Sequence, residues 1–417
     1  MKRIFAILMT ICLLAGALSI TAFAAEAPAE GVVMRVSGVE QTTQNAFTTT
    51  FLQDFDNFQD GWNYAMDIAG DEDEMEDNKF DRILVEIYAD WSANTDGEFT
   101  EEIWNGAGFD NDTIYIPSDA KVTLNMNDHT INRGLKHTHN DGEVIYVDED
   151  ADFIINGGTI TGGYSENGAG GIHIKEGAKV TLNNVHIVGN HSVEDEGAGI
   201  SIEDATLTMN GGSIKDNLLY EGDGGAIYAK DSTVFLNNVE IKNNQAITDK
   251  THGAAIYADD SAVVLNECTV DGNGIKDDSK DFKASCSIIH GDDSTINIGK
   301  STFTNNGGGY HYDPRYAYSY SMEEYIGFYS SVFTLEDSDL FISADSKISN
   351  NNVYYLFFAR GDSSVYATDT TITDNTAMVM WSSSWNENDN YFKNCTINNN
   401  KLTSKKIEVA GGIYNDY

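Results

Sequence analysis

Pairs of neighbouring carboxylates follow several predicted strands of the chain, and paired carboxylates are the groups that glycoside hydrolases use as acid and base. The pairs are Glu203-Asp204, Asp259-Asp260, Asp292-Asp293 and Glu336-Asp337. An inverting hydrolase needs a separation of about 6.5–9.5 Å, which neighbouring repeats can supply. However, Asp is also an ordinary turn residue, and here a pair recurs in repeat after repeat. A turn role therefore explains the pairs better than catalysis, and we predict no catalytic residue.

A second candidate site is a row of side chains, most of them large, each flanked by apolar residues in a short predicted strand. The flanking Ile, Val or Ala side chains point inward, so the central ones point outward. The central residues are Tyr146, His173, Ser201, Tyr228, Tyr257 and His290. Exposed rings can stack on sugars or on a partner's side chains, but they can equally stack on each other and only cover the sheet. We predict that Tyr146, His173, Tyr228, Tyr257 and His290 bind ligand, with the covering role as the alternative.

A tyrosine-rich insertion at 307–330 makes the longest interruption of the repeat described below. Its tyrosines are a third candidate surface, since binding residues concentrate in loops that a regular scaffold positions. We predict ligand-binding roles for Tyr312, Tyr316, Tyr318 and Tyr320.

Calcium is the only candidate cofactor, because acidic loops gather along one edge of the repeats and hard cations prefer clustered oxygen ligands. No loop has the spacing of an EF-hand or of a calcium-binding nonapeptide repeat. His137 and His139 would place two imidazoles on one face of a strand, without a third ligand in view. We therefore predict no other cofactor and assign no metal ligand.

A repeat positions all these residues. Its centres are Ile131, Ile160, Ile187, Ile214, Ile241, Val270, Phe303, Ile348, Ile372 and Ile397, separated by 24 to 45 residues. Such a period is typical of stacked repeats that share one core. Each repeat, commonly 27 residues long, contains three short strand patterns. The left-handed kind of coil would need about 18 residues. We therefore predict an all-β fold, a right-handed parallel β-helix of about ten coils.

An Asn column accompanies the repeat, since the residue three places after the centre is Asn in eight copies and Gly134 or Gly163 in the first two. A residue that turns the chain between strands often needs φ > 0, which Asn and Gly tolerate best. Stacked amides can also hydrogen-bond to one another along the axis. Both explanations are structural, so this column predicts scaffold and not chemistry.

Three regions follow from these patterns. Residues 1–25 read as a signal peptide, with Lys2 and Arg3 before an apolar run that ends in a small-residue cleavage site. Residues 26–112 lack the repeat and predict a small α/β cap, with one or two helices within 47–70, an acidic loop at 71–77 and a strand at 83–88. Residues 113–417 form the β-helix. We expect a secreted or cell-surface protein without membrane insertion after signal removal.

Net charge and the positions of the cysteines indicate which partners are disfavoured and whether disulfides are expected. A net charge of −41 repels phosphate backbones, which excludes nucleic acid as a favoured partner. Cys268 and Cys395 occupy equivalent positions four coils apart, roughly 19 Å at the spacing of stacked strands, which is too far for a disulfide. With Cys286 as the third cysteine of the exported chain, we predict buried thiols and not a disulfide scaffold.

The repeats resemble those of a known group of bacterial proteins. Gly224-Gly225-Ala226-Ile227 and Phe303-Thr304-Asn305-Asn306 are similar to the GGAI and FxxN repeats of the polymorphic outer-membrane proteins. More broadly, the region 113–417 resembles bacterial right-handed β-helix proteins of the pectin-lyase-like superfamily. The resemblance implies an adhesive role at the bacterial surface, although Ile replaces Phe in most copies.

Two classes of function remain after these arguments. We expect a non-catalytic, adhesin-like monomer that recognises a glycan or an extracellular or cell-surface protein through the outward rings and the tyrosine-rich insertion. The alternative is a carbohydrate-active enzyme, a glycoside hydrolase or polysaccharide lyase, although the sequence motifs of polygalacturonases are absent. A purely structural spacer is a third class.

Overall fold

The computed structural model describes residues 28–43, 46–93, 109–110, 113–194, 196–247, 251–275, 286–307, 330–383, 390–403, 408–410 and 413–416. The predicted signal peptide and the tyrosines predicted to bind ligand within 307–330 lie outside these ranges.

The chain forms a parallel β-helix, as predicted. The ten repeat centres lie in ten successive strands of one sheet of 11 strands. One coil runs through Ile172–Ile174, Lys179–Asn183, His186–Val188 and His191–Glu194, which belong to sheets that we call C, A, B and D. Equivalent residues of successive coils pair in register, for example Ile160 with Ile187.

Among the described residues, sheet A has 13 strands and sheet B has 11. In spatial order, the strands of sheet A are Ala46–Phe55, Met34–Thr43, Arg82–Ile87, Lys121–Asn125, Asp152–Asn156, Lys179–Asn183, Thr206–Asn210, Thr233–Asn237, Ala262–Asn266, Thr295–Gly299, Asp339–Ser343, Ser364–Thr368 and Tyr391–Lys393. Those of sheet B, in the same sense, are Trp91–Ser92, Thr130–Asn132, Thr159–Thr161, His186–Val188, Ser213–Lys215, Glu240–Lys242, Thr269–Asp271, Thr302–Thr304, Lys347–Ser349, Thr371–Thr373 and Thr396–Asn398.

In the same described ranges, sheet C has 12 strands and sheet D has five. The strands of sheet C are Phe109–Asp110, Thr113–Ile116, Ile145–Val147, Ile172–Ile174, Ile200–Glu203, Ile227–Lys230, Ile256–Asp259, Ile289–Asp292, Ser331–Glu336, Asn352–Arg360, Thr376–Ser383 and Ile413–Asp416. Those of sheet D are Tyr164–Asn167, His191–Glu194, Leu218–Leu219, Gln245–Ala246 and Gly274–Ile275. Lys401–Thr403 and Glu408–Ala410 form a separate antiparallel pair.

The Asn column lies inside the stack, and its amides form the ladder that one of the two explanations predicted. The Nδ2 group of Asn217 donates to Oδ1 of Asn244 at 2.9 Å and to the carbonyl of Ile187 at 3.2 Å. The explanation by positive φ was wrong for these asparagines. The left-handed turn falls one residue earlier, at positions such as Gly189 and Asn243, because the ladder residue itself must point its amide inward.

The N-terminal cap has α/β character, with helix α1 (Phe58–Ala69) and helix α2 (Glu72–Asn78). Trp62 of α1 is fully buried and its ring meets Phe153 edge-on at 6.5 Å, so α1 covers the first coils of the core. The predicted strand at 83–88 is present as Arg82–Ile87.

Two local predictions in the cap were wrong. Residues 46–55, expected to contribute to a helix, form a strand, because the Thr-rich run has high β propensity and pairs antiparallel with Met34–Thr43. The acidic loop at 71–77 is largely helix α2. The side chain of Asp71 caps this helix by accepting from the backbone N–H of Glu74, and acidic residues in its first turn favour the positive end of the helix dipole.

Candidate functional site: the outer face of sheet C

One row of outward side chains crosses sheet C, and it contains the residues that the sequence singled out. We call it the ring row. Its paired members, in spatial order, are Tyr115, Tyr146, His173, Ser201, Tyr228, Tyr257, His290, Thr334, Phe358 and Trp381. The flanking residues, such as Ile256 and Ala258, are fully buried in the core, which is why the central side chain of each strand points outward. The predicted row is therefore present and longer than expected.

The rings of this row stack mainly on each other. Tyr115 and Tyr146 have ring centroids 5.8 Å apart and planes 16° apart, and Tyr228 and Tyr257 are at 5.5 Å and 16°. Parallel strands lie about 4.8 Å apart, so rings in register must overlap along the axis of the stack. The faces that they turn toward each other are consequently occupied, and the edges and hydroxyl groups remain for a ligand. The expected stacking of sugars on ring faces does not fit this geometry.

Ser201 interrupts the ring row, and a loop carboxylate occupies the space beside it. Ser201 is fully buried and its hydroxyl donates to Oε2 of Glu196 at 2.7 Å. Glu196 also hydrogen-bonds Glu203, and burial, opposed by Ser201 and reinforced by Glu203, raises the pKa of Glu196. For Glu203, burial alone would raise the pKa, but the hydrogen bond from Lys175 at 2.8 Å helps to lower it. As the pH falls, Glu196 therefore takes up a proton before Glu203 does.

A second polar group lies farther along the row. The Nδ1 atom of His252 is 2.9 Å from Oδ1 of Asp223, and the His252 ring meets the His290 ring edge-on at 4.7 Å. The Nε2 atom of His290 lies 3.5 Å from Oε1 of Glu336. Asp223 and His252 come from loops, so this network connects the loops of two coils to the sheet. The sequence patterns did not point to Glu196, Asp223 or His252, because loop residues follow no period.

His290 is almost completely buried, with 1% of its surface exposed. The expectation that it presents an exposed imidazole was therefore wrong. The physical reason is the loop-borne His252, which packs against it. Tyr146, His173, Tyr228 and Tyr257 are half-buried, so each keeps part of its side chain at the surface.

A row of charged side chains lies beside the ring row, two residues farther along each strand and therefore on the same face. We call it the charged row. Its paired members are Glu203, Lys230, Asp259, Asp292, Glu336 and Arg360, and Lys175 precedes them with its Nζ on Glu203. The first acid of each predicted pair thus stands on the sheet. The second acid, Asp204, Asp260, Asp293 or Asp337, takes the left-handed conformation of a turn residue.

Three neighbouring carboxylates of the charged row differ in protonation. Burial, followed by the charges of Glu336 and Asp259, raises the pKa of Asp292 to about 6. Burial would also raise the pKa of Glu336, but hydrogen bonds from His290 and Arg360 outweigh it and lower that pKa. Burial and the neighbouring Asp260 raise the pKa of Asp259. Around neutral pH the row therefore combines a carboxyl that protonates readily with a firmly ionised one.

The tyrosines and His173 are neutral around pH 7. Burial, reinforced by Asp148, raises the pKa of Tyr146 to about 12, and burial likewise raises the pKa of Tyr228 and of Tyr257. Burial, followed by the charge of Lys175, lowers the pKa of His173 to about 4. The site therefore offers neutral hydroxyl groups next to carboxylates, which is a set of hydrogen-bond donors and acceptors suited to a hydroxyl-rich ligand.

Within the described residues, no group of three or more His, Cys, Asp or Glu side chains is placed to hold a metal ion. Among the helices described above, neither has the length and apolar character needed to cross a membrane.

Residues 102–320, just over half of the chain, match a family model described as the right handed beta helix region. The chain therefore belongs to the right-handed β-helix family, and the predicted handedness is confirmed. No curated protein and no solved structure matches the chain. The finer resemblance to the GGAI and FxxN repeats stays a prediction.

Proposed function

We propose that the protein is an exported, non-catalytic carbohydrate-binding protein whose ligand lies along the outer face of sheet C. The observation that supports this proposal best is the convergence of loop-borne Glu196, Asp223 and His252 on the tyrosines of the ring row. Among the described residues, Glu196 contacts Ser201, and His252 contacts Tyr257 and His290, so these loop residues meet the ring row on neighbouring coils. Convergent polar groups at one place on a regular scaffold are the expected form of a binding site.

The charge of the face selects among glycans. Asp259, Asp292 and Glu336 are consecutive on the charged row, with Lys230 beside Asp259, while the cations Lys175 and Arg360 already bond Glu203 and Glu336. A polyanionic sugar would therefore meet unbalanced carboxylates. A neutral glycan, or one with amino groups, would accept from the tyrosine hydroxyls and donate to the carboxylates. In this proposal the bound chain runs parallel to the axis and meets one side chain of each row per coil.

A glycan array with the mature chain tests the proposal. We expect binding to neutral or amino-containing oligosaccharides and none to sulfated or uronic-acid glycans, without added calcium. Binding restricted to polyanionic glycans, or to no glycan on an array that covers all three classes, would contradict it. A chain that binds no glycan on the array but retains a protein partner from its surroundings would instead support the other expected partner, an extracellular or cell-surface protein.

One observation favours a second candidate function, hydrolysis of a glycosidic bond. Carboxyl groups whose environments push their pKa values apart are the mark of an acid and base pair, and Asp292 and Glu336 show that pattern. They are register neighbours, about 4.8 Å apart at the backbone, near the separation of about 5–5.5 Å that retaining enzymes use. In such a reaction Asp292 would protonate the leaving oxygen.

The contacts of Glu336 favour binding over this second candidate. Its Oε1 faces His290 and its Oε2 accepts from Nε of Arg360 at 2.7 Å, so both oxygens are already engaged and neither is free to attack a sugar. A reducing-sugar assay on neutral polysaccharides, with Asp292→Asn as the matched variant, separates the two functions. Hydrolysis would be established if the unmodified chain cleaved a polysaccharide and the Asp292→Asn variant did not cleave it but still bound glycan.

A further inference from the structure

The exposed apolar side chains lie at the two ends of the stack. Among the described residues, three large apolar side chains are exposed: Phe51 at 59%, Tyr391 at 48% and Ile397 at 38%. Phe51 is on Ala46–Phe55 and Tyr391 on Tyr391–Lys393, which are the two edge strands of the 13-stranded sheet A. We call these strands the head strand and the tail strand. Ile397 is on the last strand of sheet B, and the other nine repeat centres are fully buried.

Phe51 and Tyr391 are also the two terminal members of one register row. At the head, Phe51 pairs with Ser37, which pairs with Leu84 of the first parallel strand. Register pairs continue from Leu84 through every strand of sheet A, and at the tail Tyr366 pairs with Tyr391. Inside the row, Phe341 and Tyr366 stack with centroids 4.9 Å apart and planes 7° apart. Among the described residues, the aromatic ring at each end of the row therefore has no equivalent neighbour on its outer side.

The strand directions allow the two ends to join. Met34–Thr43 runs antiparallel both to the head strand and to Arg82–Ile87, and Arg82–Ile87 begins the parallel series that ends at the tail strand. The head strand thus runs in the same direction as the tail strand. A second copy shifted along the axis would bring its head strand beside the tail strand as one more parallel strand, with Phe51 in register with Tyr391. An open edge of backbone N–H and C=O groups is a template for such pairing.

The charges near the two edge strands favour a head-to-tail contact over a tail-to-tail contact. Lys393 and Lys401 are exposed at the tail, and residues 391–403 contain no acid. At the end of the head strand, Asp56 is exposed, and Asp54 beside it is ion-paired with Arg35 at 2.8 Å. A head-to-tail contact sets lysines against carboxylates, whereas a tail-to-tail contact sets lysines against lysines, which opposes association.

We propose that copies of this chain associate head to tail through the two edges of sheet A. The contact is heterologous, so it leaves a free head and a free tail and extends into a filament unless the geometry closes a ring. In this proposal, the monomer expected from the sequence occurs only when one end of the chain is blocked.

Sedimentation velocity over a range of concentrations tests this proposal. The proteins compared are the mature chain and its Phe51→Glu and Tyr391→Glu variants. Species larger than a dimer should grow with concentration in the unmodified protein, and each variant alone should be monomeric. An equimolar mixture of the variants should form a 1:1 dimer and nothing larger, because the intact tail of one meets the intact head of the other. Tyr366→Glu, one strand inside the tail, is the matched control and should still associate.

Two results would overturn the proposal. One is an unmodified chain that stays monomeric at every concentration. The other is a Phe51→Glu variant that dimerises by itself, which would indicate a tail-to-tail contact. If Tyr391→Glu lowers the melting temperature, Lys393→Glu replaces it as the tail variant. If the Lys393→Glu variant still formed larger species as its concentration rose, that would also count against the contact.

Discussion

Tyr228 and Tyr257 stack with ring centroids 5.5 Å apart and planes 16° apart, so each ring covers a face of the other. A ligand on sheet C therefore meets ring edges and hydroxyl groups. This arrangement turns a surface that looked suited to stacking on sugars into one suited to hydrogen bonding. Burial raises the pKa values of both hydroxyls, reinforced by Glu196 at Tyr228 and by Asp223 at Tyr257, so both hydroxyls are protonated and able to donate.

The Asn ladder should dominate the stability of the coil turns. Asn244 is fully buried, donates to the carbonyl of Ile214 at 2.9 Å and accepts from Asn217 at 2.9 Å. Asn244→Ala leaves those buried groups without their partners, so we expect a loss of about 2–4 kcal/mol in the free energy of unfolding. The measurement is urea denaturation followed by circular dichroism.

A matched control comes from the second amide ladder, on sheet A. Asn237 is half-buried there and donates to Asn210 at 3.1 Å. Asn237→Ala should cost about 1 kcal/mol or less, because water can replace the lost partner. Equal costs for the two variants would show that burial of the inner ladder contributes nothing extra.

The sequence predicted the scaffold well and the site only in part, and the reason is physical. Ile187 and Asn217 recur because every coil faces the same core and the same turn, so a period reveals them. Glu196 and His252 come from loops whose length varies, and no spacing places them over Ser201 and His290. The burial of His290 could not be predicted either, because the period indicates the direction of a side chain and not what covers it.

Asp292 should make the stability of the protein fall as the pH rises. Its pKa is raised from 3.8 to about 6 in the folded chain, so between these values the folded state binds more protons than the unfolded state. Stability is then lost as the pH rises through that window. Asp292→Asn should flatten this part of the pH profile and raise the melting temperature at pH 7. Thermal denaturation between pH 4 and pH 7 measures it.

Glu336 should show the opposite sign, because its pKa is lowered in the folded chain. Its ionised form contributes stability that is present above the unfolded pKa and lost as the pH falls. Glu336→Gln should therefore lower the melting temperature at pH 7. If both variants shifted the melting temperature in the same direction at pH 7, the opposed environments described for these carboxyls would be wrong.

The three described cysteines should differ in reactivity. Cys268 and Cys286 are buried, and burial raises the pKa of their thiols to about 11 and about 12. The thiolate is the reactive form, so these thiols should resist a maleimide reagent in the folded protein. Cys395 is half-buried and should react first. Peptide mapping after a short labelling pulse checks the order, and early labelling of Cys286 would mean that its coil opens readily.

The central claim is tested most directly by comparing the unmodified chain with a Tyr228→Phe, Tyr257→Phe double variant. The quantity compared is the affinity for the oligosaccharide that binds best on the array. The double variant keeps both stacked rings and removes only the two hydroxyls, and Tyr366→Phe on sheet A is the control. Isothermal titration should show binding weakened about tenfold to a hundredfold in the double variant, since each lost hydrogen bond contributes about 0.5–1.5 kcal/mol, and unchanged binding in the control. Equal affinity of all three proteins would contradict a glycan site on sheet C.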